Sequence, residues 1–341
     1  MANYDSIPIV LAANQQYVPV LFVCIHSIIK HKKQGSLYKI FIFHTDICKE
    51  SQREFESYLA DGFVQIKFMN VKRFVVSYRL EAKEHISTET FFRFLILDIL
   101  KEYEKVLYLD CDLIVCRDIE ELFHTDLKDN YLGAAHDPDF MGQCNDSSLT
   151  TREYCSSVLK MRSPWDYFQA GVLLLNVKEL RKHVKVHQLF EMADTGIYRY
   201  SDQDILNSVC EGHVKELDMA WNFMTDCSHT RRKEVISLAP DHVILEYDNA
   251  RKNPYIVHYA GPSKPWKDPE EDFAHLFWKE ARETIYYEEL FAQMITSILS
   301  NKEQEKKWAN RLKRKAKDIF PQNSKSRVIV RRLYHKLKKK N

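Results

Sequence analysis

Two aspartates separated by one residue lie within the apolar stretch KVLYLDCDLIV, residues 105–115. Alternate positions of an extended segment point to the same side, so the carboxylates of Asp110 and Asp112 are expected to face the same space. Two neighbouring carboxylates repel each other unless one is protonated or a cation lies between them. A hard divalent ion, Mg²⁺ or Mn²⁺, accepts such oxygen ligands and leaves positions open for phosphate oxygens. The pair therefore predicts a divalent-metal site, although a capping turn after the strand would produce the same spacing.

The stretch VHYAGPSKPW, residues 257–266, offers a third metal ligand and a cation. His258 follows an apolar segment, Gly261 and Pro262 indicate a tight turn, and Lys264 follows shortly after. A glycine lets the backbone approach a ligand closely and a lysine neutralises phosphate charge, so this loop is suited to a diphosphate. An imidazole ligand would favour Mn²⁺ over Mg²⁺. Taken alone, the loop is explained better by a core histidine and a surface lysine.

The elements that must position these residues are strands alternating with helices. Short apolar runs indicate strands at 7–13, 38–46, 64–71, 105–115, 132–137 and 171–177, and helical patterns cover 17–32, 51–59 and 88–103. This alternation predicts an open, mostly parallel α/β sheet with flanking helices. Ligands of such sheets bind beyond the carboxyl ends of the strands, where Asn14, the Asp110–Asp112 pair and Asp137 are expected.

One α/β domain over residues 1–280, followed by a helical C-terminal region over 281–341, is the predicted organisation. The chain has 341 residues and 45% hydrophobic content, enough for a sizeable core, and contains no repeat or Pro/Gly/Ser-rich linker. It lacks an apolar run of about 20 residues and a signal-peptide pattern at its start, so export is not expected. Its 8 cysteines have no framework or C-x-x-C spacing, so we expect neither disulfides nor zinc.

The end of the chain differs strongly in charge from the rest. Residues 306–341 contain 15 Lys and Arg and a single acid, Asp318, whereas the net charge of the whole chain is only +2. A helix near the C-terminus would be cationic with one apolar side, formed by Val330, Leu333, Tyr334 and Leu337. This pattern favours an anionic membrane surface as partner, with a solvated frayed terminus as the alternative. Nucleic acid is not the expected partner because the tail lacks interleaved aromatic residues.

Beyond these local patterns, the chain from residue 7 to 266 resembles the retaining glycosyltransferases of family 8, especially the bacterial lipopolysaccharide galactosyl- and glucosyltransferases. The motifs that carry the resemblance occur in the family's order: IVLAANQQY, FFRFLILDIL, KVLYLDCDLIV, LGAAHD, FQAGVLLLNVKELR, YSDQDILN, WNFM and HYAGPSKPW. The resemblance implies a GT-A fold, a UDP-sugar donor, and a divalent metal, Mn²⁺ with Mg²⁺ possible, held by Asp110, Asp112 and His258.

The resemblance also assigns roles to single positions. The residues it places against the donor are Ala12, Asn14 and Tyr17 at uracil and ribose, Arg93, Asp110, Cys111 and Asp112, Gln169 in the sugar pocket, and Gly261 and Lys264 at the diphosphate. The sugar-facing catalytic positions fall on Asp137, Asp202 and Gln203. Two positions depart from the family pattern: Asn14 replaces a common aspartate, and Gln169 replaces the asparagine of FNAG. Without the resemblance, Arg93 would be taken for a surface arginine.

The function implied by the resemblance is transfer of galactose or glucose from UDP to a glycan, with retention of anomeric configuration. The expected acceptor is lipopolysaccharide or another cell-surface glycan, including lipid-linked forms, and the expected location is cytoplasmic, at the inner face of the membrane. The alternative function is a metal-dependent nucleotide-sugar hydrolase or nucleotidyltransferase, which could use the same metal ligands and diphosphate-binding residues. A non-catalytic binding module is a further alternative, against which the intact set of three ligands argues.

Overall fold

The computed structural model describes residues 6–80 and 87–300. Its ten strands are β1 (Ile7–Ala12), β2 (Tyr38–His44), β3 (Val64–Asn70), β4 (Lys105–Leu109), β5 (Leu113–Val115), β6 (Leu132–Ala134), β7 (Val172–Asn176), β8 (Val214–Glu216), β9 (Phe223–Met224) and β10 (Ile256–His258). Its α-helices are α1 (Val18–Lys30), α2 (Lys49–Leu59), α3 (Lys72–Val75), α4 (Ile96–Ile99), α5 (Glu120–Phe123), α6 (Pro138–Asn145), α7 (Thr151–Ser157), α8 (Val177–His183), α9 (Val186–Asp194), α10 (Ser201–Cys210), α11 (Arg231–Glu234), α12 (Asp241–Lys252) and α13 (Ala274–Ala281). Short 3₁₀ helices cover Gln15–Tyr17, Thr88–Leu95, Pro164–Asp166, Met219–Asn222, Cys227–His229 and Ile236–Leu238.

The central sheet of the fold has seven strands, in the order β3-β2-β1-β4-β7-β6-β8. β1, β2, β3 and β4 pair in parallel, as do β6 and β8, whereas β7 runs antiparallel to both β4 and β6. The predicted mostly parallel α/β fold is therefore confirmed.

Hydrophobic residues fill both faces of this sheet, because successive side chains of a buried strand point to opposite sides. On β1, Val10 and Ala12 belong to one buried cluster, and Ile9 and Leu11 belong to the other. β2 and β4 divide their apolar residues between the same two clusters. The continuous apolar runs of these strands thus supply two cores.

The run 105–115 is not one strand, as its sequence predicts, but two strands in different sheets. β4 ends at Leu109, residues 110–112 are irregular, and β5 belongs to a second sheet of order β5-β10-β9. The antiparallel register of β5 and β10 places His258 opposite Leu113. The break therefore brings the histidine beside the aspartate pair from a distant part of the sequence.

The predicted helix over 88–103 is also replaced by shorter elements, since the segment forms a 3₁₀ helix over Thr88–Leu95 and α4 ends at Ile99. No helix of the described ranges is long and apolar enough to cross a bilayer.

The chain divides into two compact units, the first ending at Leu290 and the second beginning at Phe291. In the second unit, residues 291–300 are helical. The predicted basic amphipathic tail lies outside the described residues, and the predicted domain division at residue 280 stays a prediction.

Candidate active site

One cavity of about 410 Å³ opens beyond the carboxyl ends of β1 and β4. All fourteen residues that the sequence motifs and the family resemblance assigned to the site contribute to its wall: Ala12, Asn14, Tyr17, Arg93, Asp110, Cys111, Asp112, Asp137, Gln169, Asp202, Gln203, His258, Gly261 and Lys264. The structure therefore brings together every predicted position, from segments as far apart as residues 12 and 264.

The carboxylates of Asp110 and Asp112 meet His258 in this cavity. His258 Nε2 lies 3.2 Å from Asp112 Oδ1 and 3.8 Å from Asp110 Oδ2, and the possible ligand atoms of the three residues are all within 4.8 Å of one another. The backbone fixes both aspartates, because Asp110 N–H donates to Gly171 O at 2.8 Å and Tyr259 N–H donates to Asp112 O at 3.0 Å. Two carboxylates and one imidazole form a donor set that suits Mn²⁺.

The space around His258 is shaped by a glycine. A Cβ on Gly171 would lie 2.2 Å from Cε1 of the imidazole and 2.9 Å from Asp110 Oδ2. The ring is also held by Asn222, whose Oδ1 lies 2.9 Å from His258 Nδ1. A ring fixed through one nitrogen, with the other nitrogen facing two carboxylates, is the arrangement that metal-bound histidines adopt. The residues present therefore fit a divalent ion.

Lys264 supplies a buried positive charge next to the aspartates. Its Nζ donates to Asp112 Oδ2 at 2.5 Å and to the carbonyl oxygen of Tyr259 at 2.6 Å. Burial raises the pKa of Asp112, but Lys264 and His258 outweigh this effect and hold that pKa well below its usual range. Asp112 is therefore ionised, as a metal ligand must be.

Gly261 lines the same cavity, three residues before Lys264, and has a backbone conformation that favours glycine. Its φ is +105°, and an added Cβ would lie 2.5 Å from Arg231 Nη2. A residue with a side chain is therefore disfavoured here, both by the backbone conformation and by the Arg231 guanidinium.

Arg93 is a buried arginine that links two acidic parts of the cavity. Its guanidinium lies 2.9 Å from Asp110 Oδ1 and 2.9 Å from Asp202 Oδ2, and it packs 4.2 Å from the centre of the Tyr108 ring. It also donates to the carbonyl oxygen of Ala170. Only 3% of the Arg93 side chain is exposed, so this residue holds Asp110 in place from inside the protein.

Asp137 and Gln203 form a fixed pair on the cavity wall. Asp137 caps α6 by accepting from the backbone N–H groups of Asp139 and Phe140, and its other oxygen accepts from Gln203 Nε2 at 2.9 Å. Gln203 Oε1 in turn accepts from Ala170 N–H at 3.0 Å. Both ends of the Gln203 amide are thereby oriented.

Burial raises the pKa of two carboxyl groups of this wall. The pKa of Asp137 rises to about 6 through burial and the nearby charge of Asp139. Burial also raises the pKa of Asp202 to about 6, although the charge of Arg93 acts in the opposite direction. Perturbed carboxyl groups lining a cleft are typical of functional sites.

The first loop is shaped by Asn14. Its Oδ1 accepts from the backbone N–H groups of Gln16 and Tyr17, and its Nδ2 donates to Glu89 Oε2 at 3.2 Å. Tyr17 makes an edge contact with Trp266, at 6.1 Å between ring centres. These contacts fix the first loop and place the Tyr17 ring on the cavity wall.

The sequence model described as "Glycosyl transferase family 8" matches residues 8–270. The chain belongs to glycosyltransferase family 8.

Solved family 8 structures share the fold. The galactosyltransferase LgtC, determined with donor and acceptor sugar analogues, is 26% identical and has a TM-score of 0.67, with 82% of this chain and 96% of LgtC covered. The bifunctional glycosyltransferase WbbM is 25% identical with a TM-score of 0.77, with 86% of this chain and 53% of WbbM covered. The central sheet described above is thus the GT-A fold.

Among curated relatives, glycosyltransferase GlyA of Streptococcus pneumoniae is 29% identical over 274 residues, which cover 79% of this chain and 34% of GlyA. The chain therefore spans about a third of GlyA and about half of WbbM.

Several residues of this family 8 site were not predicted. Glu89 binds the amide of Asn14, and Asn222 binds the imidazole of His258. Arg231 pairs with Asp139 at 2.9 Å and donates to the carbonyl oxygen of Ala260 at 2.8 Å. Asn222 lies in the recognised WNFM motif, but its role depends on a contact across 36 residues that no local pattern reveals.

Proposed function

We propose that this family 8 enzyme transfers galactose or glucose from UDP to a glycan acceptor with retention of configuration. The observation that carries the proposal is the convergence of Asp110, Asp112 and His258 in the cavity that also contains the predicted donor and sugar positions. The similarity to LgtC, a galactosyltransferase crystallised with donor and acceptor sugar analogues, supports the same class of reaction.

The donor would lie with its uracil and ribose near Ala12, Asn14 and Tyr17 and its diphosphate near the metal ligands. Gly261 and Lys264 would lie beside that diphosphate. The glycine would let the backbone approach the phosphate oxygens, and the buried charge of the lysine would attract them. Mn²⁺ is the proposed ion because its ligand set combines carboxylates with an imidazole; Mg²⁺ is the alternative.

The reacting bond joins the sugar to the β-phosphate. A divalent ion held by the three ligands would supply Lewis-acid stabilisation of the diphosphate leaving group. Lys264 would add a positive charge on the same side of the site, stabilising the negative charge that develops on the leaving diphosphate as the bond breaks. Asp137 and Asp202 line the same cavity. We propose that their carboxylates accept hydrogen bonds from the hydroxyl groups of the transferred sugar.

Retention requires that the new bond form on the face from which UDP departs. Gln203 is the proposed residue nearest the anomeric carbon, but an amide is a poor nucleophile and both ends of this one are hydrogen-bonded. We therefore favour direct attack by the acceptor hydroxyl through an oxocarbenium-like state, with its proton passing to the departing phosphate.

A donor screen tests the proposal and its competitor. The protein is incubated with Mn²⁺ and either UDP-galactose or UDP-glucose, with and without a bacterial lipopolysaccharide extract, and UDP and sugar products are measured. We expect UDP release from one hexose donor to increase with acceptor and a glycoside to form. Free hexose as the sole sugar product at every acceptor concentration would instead indicate a nucleotide-sugar hydrolase, and UMP with hexose phosphate would indicate attack at phosphorus.

We also propose that residues 301–341 attach the enzyme to the inner face of an anionic membrane. The supporting observations are the high positive charge of 306–341 and three exposed apolar side chains on the preceding helical segment, Phe291, Ile295 and Leu299, which are 43%, 40% and 59% exposed. Basic residues near an anionic surface each contribute about 1 kcal/mol of attraction, so several contacts suffice for reversible binding.

A further inference from the structure

A chain of hydrogen bonds links a backbone amide to the imidazole of the metal site through two buried side-chain amides. Gly171 N–H donates to Gln169 Oε1, and Asn222 Nδ2 donates to the same oxygen at 2.6 Å. Asn222 Oδ1 then lies 2.9 Å from His258 Nδ1. Gln169 is 8% exposed, and Asn222 and His258 are each 2% exposed, so water does not replace these partners freely.

The first link determines the direction of all the others. A backbone N–H can only donate, so the Gln169 side chain must turn its carbonyl oxygen, not its NH₂ group, toward Gly171. The Asn222 atom that faces this oxygen must then be its NH₂ group, which turns Asn222 Oδ1 toward the imidazole. Because Oδ1 can only accept, His258 Nδ1 must carry a proton.

This assignment leaves the other imidazole nitrogen for a cation. His258 Nε2 is the atom that faces Asp112 Oδ1 and Asp110 Oδ2, at 3.2 and 3.8 Å. A proton fixed on Nδ1 means that Nε2 supplies its lone pair as soon as a metal ion displaces any proton there.

We propose that Gln169 and Asn222 are positioning residues that fix the tautomer and ring orientation of His258 for the divalent ion. The proposal deepens the proposed function and rests on it, since it concerns the metal that the transferase uses. It also gives Gln169 a role besides the sugar contact that the family resemblance implies. Its Oε1 accepts both hydrogen bonds of the chain, and the protons of its Nε2 take part in neither.

The test compares three variants with wild type. Asn222→Leu removes the acceptor of the His258 proton, Gln169→Leu removes the oxygen that orients Asn222, and Gln169→Glu keeps an oxygen that accepts from both donors. Mn²⁺ dissociation constants are measured by electron paramagnetic resonance on the full chain, and thermal unfolding verifies that each variant is folded. We expect Asn222→Leu and Gln169→Leu to weaken Mn²⁺ binding by about 10- to 100-fold. Gln169→Glu is expected to bind Mn²⁺ no more weakly than wild type.

A second readout reports on the tautomer itself. Nitrogen-15 NMR of the metal-free wild-type protein should show Nδ1 of His258 protonated, with the signal assigned by its loss in His258→Gln. A bare Nδ1 would overturn the inference, as would wild-type Mn²⁺ affinity in folded Asn222→Leu. A wild-type protein that binds no Mn²⁺ would overturn the proposed metal site and this inference together, which distinguishes it from the two preceding results.

Discussion

The close approach of Gly171 to the His258 imidazole gives a direct test of the proposed metal site. In Gly171→Ala, the new Cβ would lie 2.2 Å from His258 Cε1 and 2.7 Å from Nδ1, whereas ordinary contacts begin at 3.4 Å. The ring would have to move by about 1.2 Å to relieve the closer contact. Such a movement would break existing contacts, because His258 is buried, one of its nitrogens is bonded to Asn222 and the other faces two carboxylates.

Two effects are expected from this substitution. Overpacking a well-packed interior costs about 1 to 3 kcal/mol of unfolding free energy. Displacement of a ligand at a metal site is expected to weaken Mn²⁺ binding by about 10- to 100-fold, comparable to the loss of a group that orients a ligand. Both are measurable on one preparation, by urea unfolding in chelator and by Mn²⁺ titration.

Gly62→Ala is the matched control, because nothing lies within 4 Å of the Cβ position at Gly62. This variant should keep both the stability and the Mn²⁺ affinity of wild type. Wild-type Mn²⁺ affinity in folded Gly171→Ala would refute the assignment of His258 as a ligand held in this position.

Three further predictions concern the acidic wall, the buried arginine and the tail. Folding raises the pKa of Asp137 from 3.8 to about 6, because burial disfavours the ionised carboxyl. The stability of the wild-type protein is therefore unaffected by this group below pH 3.8, and it decreases as the pH rises through 6 and the buried carboxyl ionises. Relative to wild type, Asp137→Asn should therefore gain up to about 3 kcal/mol of unfolding free energy between about pH 4 and pH 8, measured by urea unfolding in chelator; no change in the difference with pH would contradict this. Arg93→Lys should lower the free energy of unfolding by about 3 kcal/mol, because one ammonium group cannot bridge Asp110 and Asp202. A variant that unfolds in urea with the same free energy as wild type would show that the bridge is dispensable. A chain ending at Lys302 should keep UDP release but no longer sediment with anionic vesicles, and vesicle binding equal to that of the full chain would disprove membrane attachment through the tail.

The sequence was most informative where a local pattern determines the structure. Continuous apolar runs followed by polar residues correctly predicted β1 and its polar loop at Asn14, and the residues after β4 at Asp110. The reason is that buried parallel strands must be apolar on both faces and must end where the backbone reaches the binding edge. Family resemblance supplied the rest of the cavity wall, including Arg93, whose burial no local pattern indicates.

Features that depend on distant contacts could not be predicted. The apolar stretch around Asp110–Asp112 appears continuous, yet β5 leaves the central sheet because its pairing partner is β10, about 140 residues later. The antiparallel direction of β7 could not be predicted either, because a buried apolar strand has the same composition whether it pairs in parallel or antiparallel. Gln169 is the clearest case: the sequence identified it as an unusual residue, but only the positions of Gly171 and Asn222 explain which way its amide points.

The proposed function requires that this cavity bind the nucleotide of a sugar donor through a divalent ion held by Asp110, Asp112 and His258. Isothermal titration of UDP into the full-length protein tests it most directly, with Mn²⁺ and then with chelator, in wild type and in Asp112→Asn. We predict UDP binding that requires Mn²⁺ and is lost in chelator and in the folded variant. Equal UDP affinity in Mn²⁺ and in chelator, or in wild type and Asp112→Asn, would contradict the account.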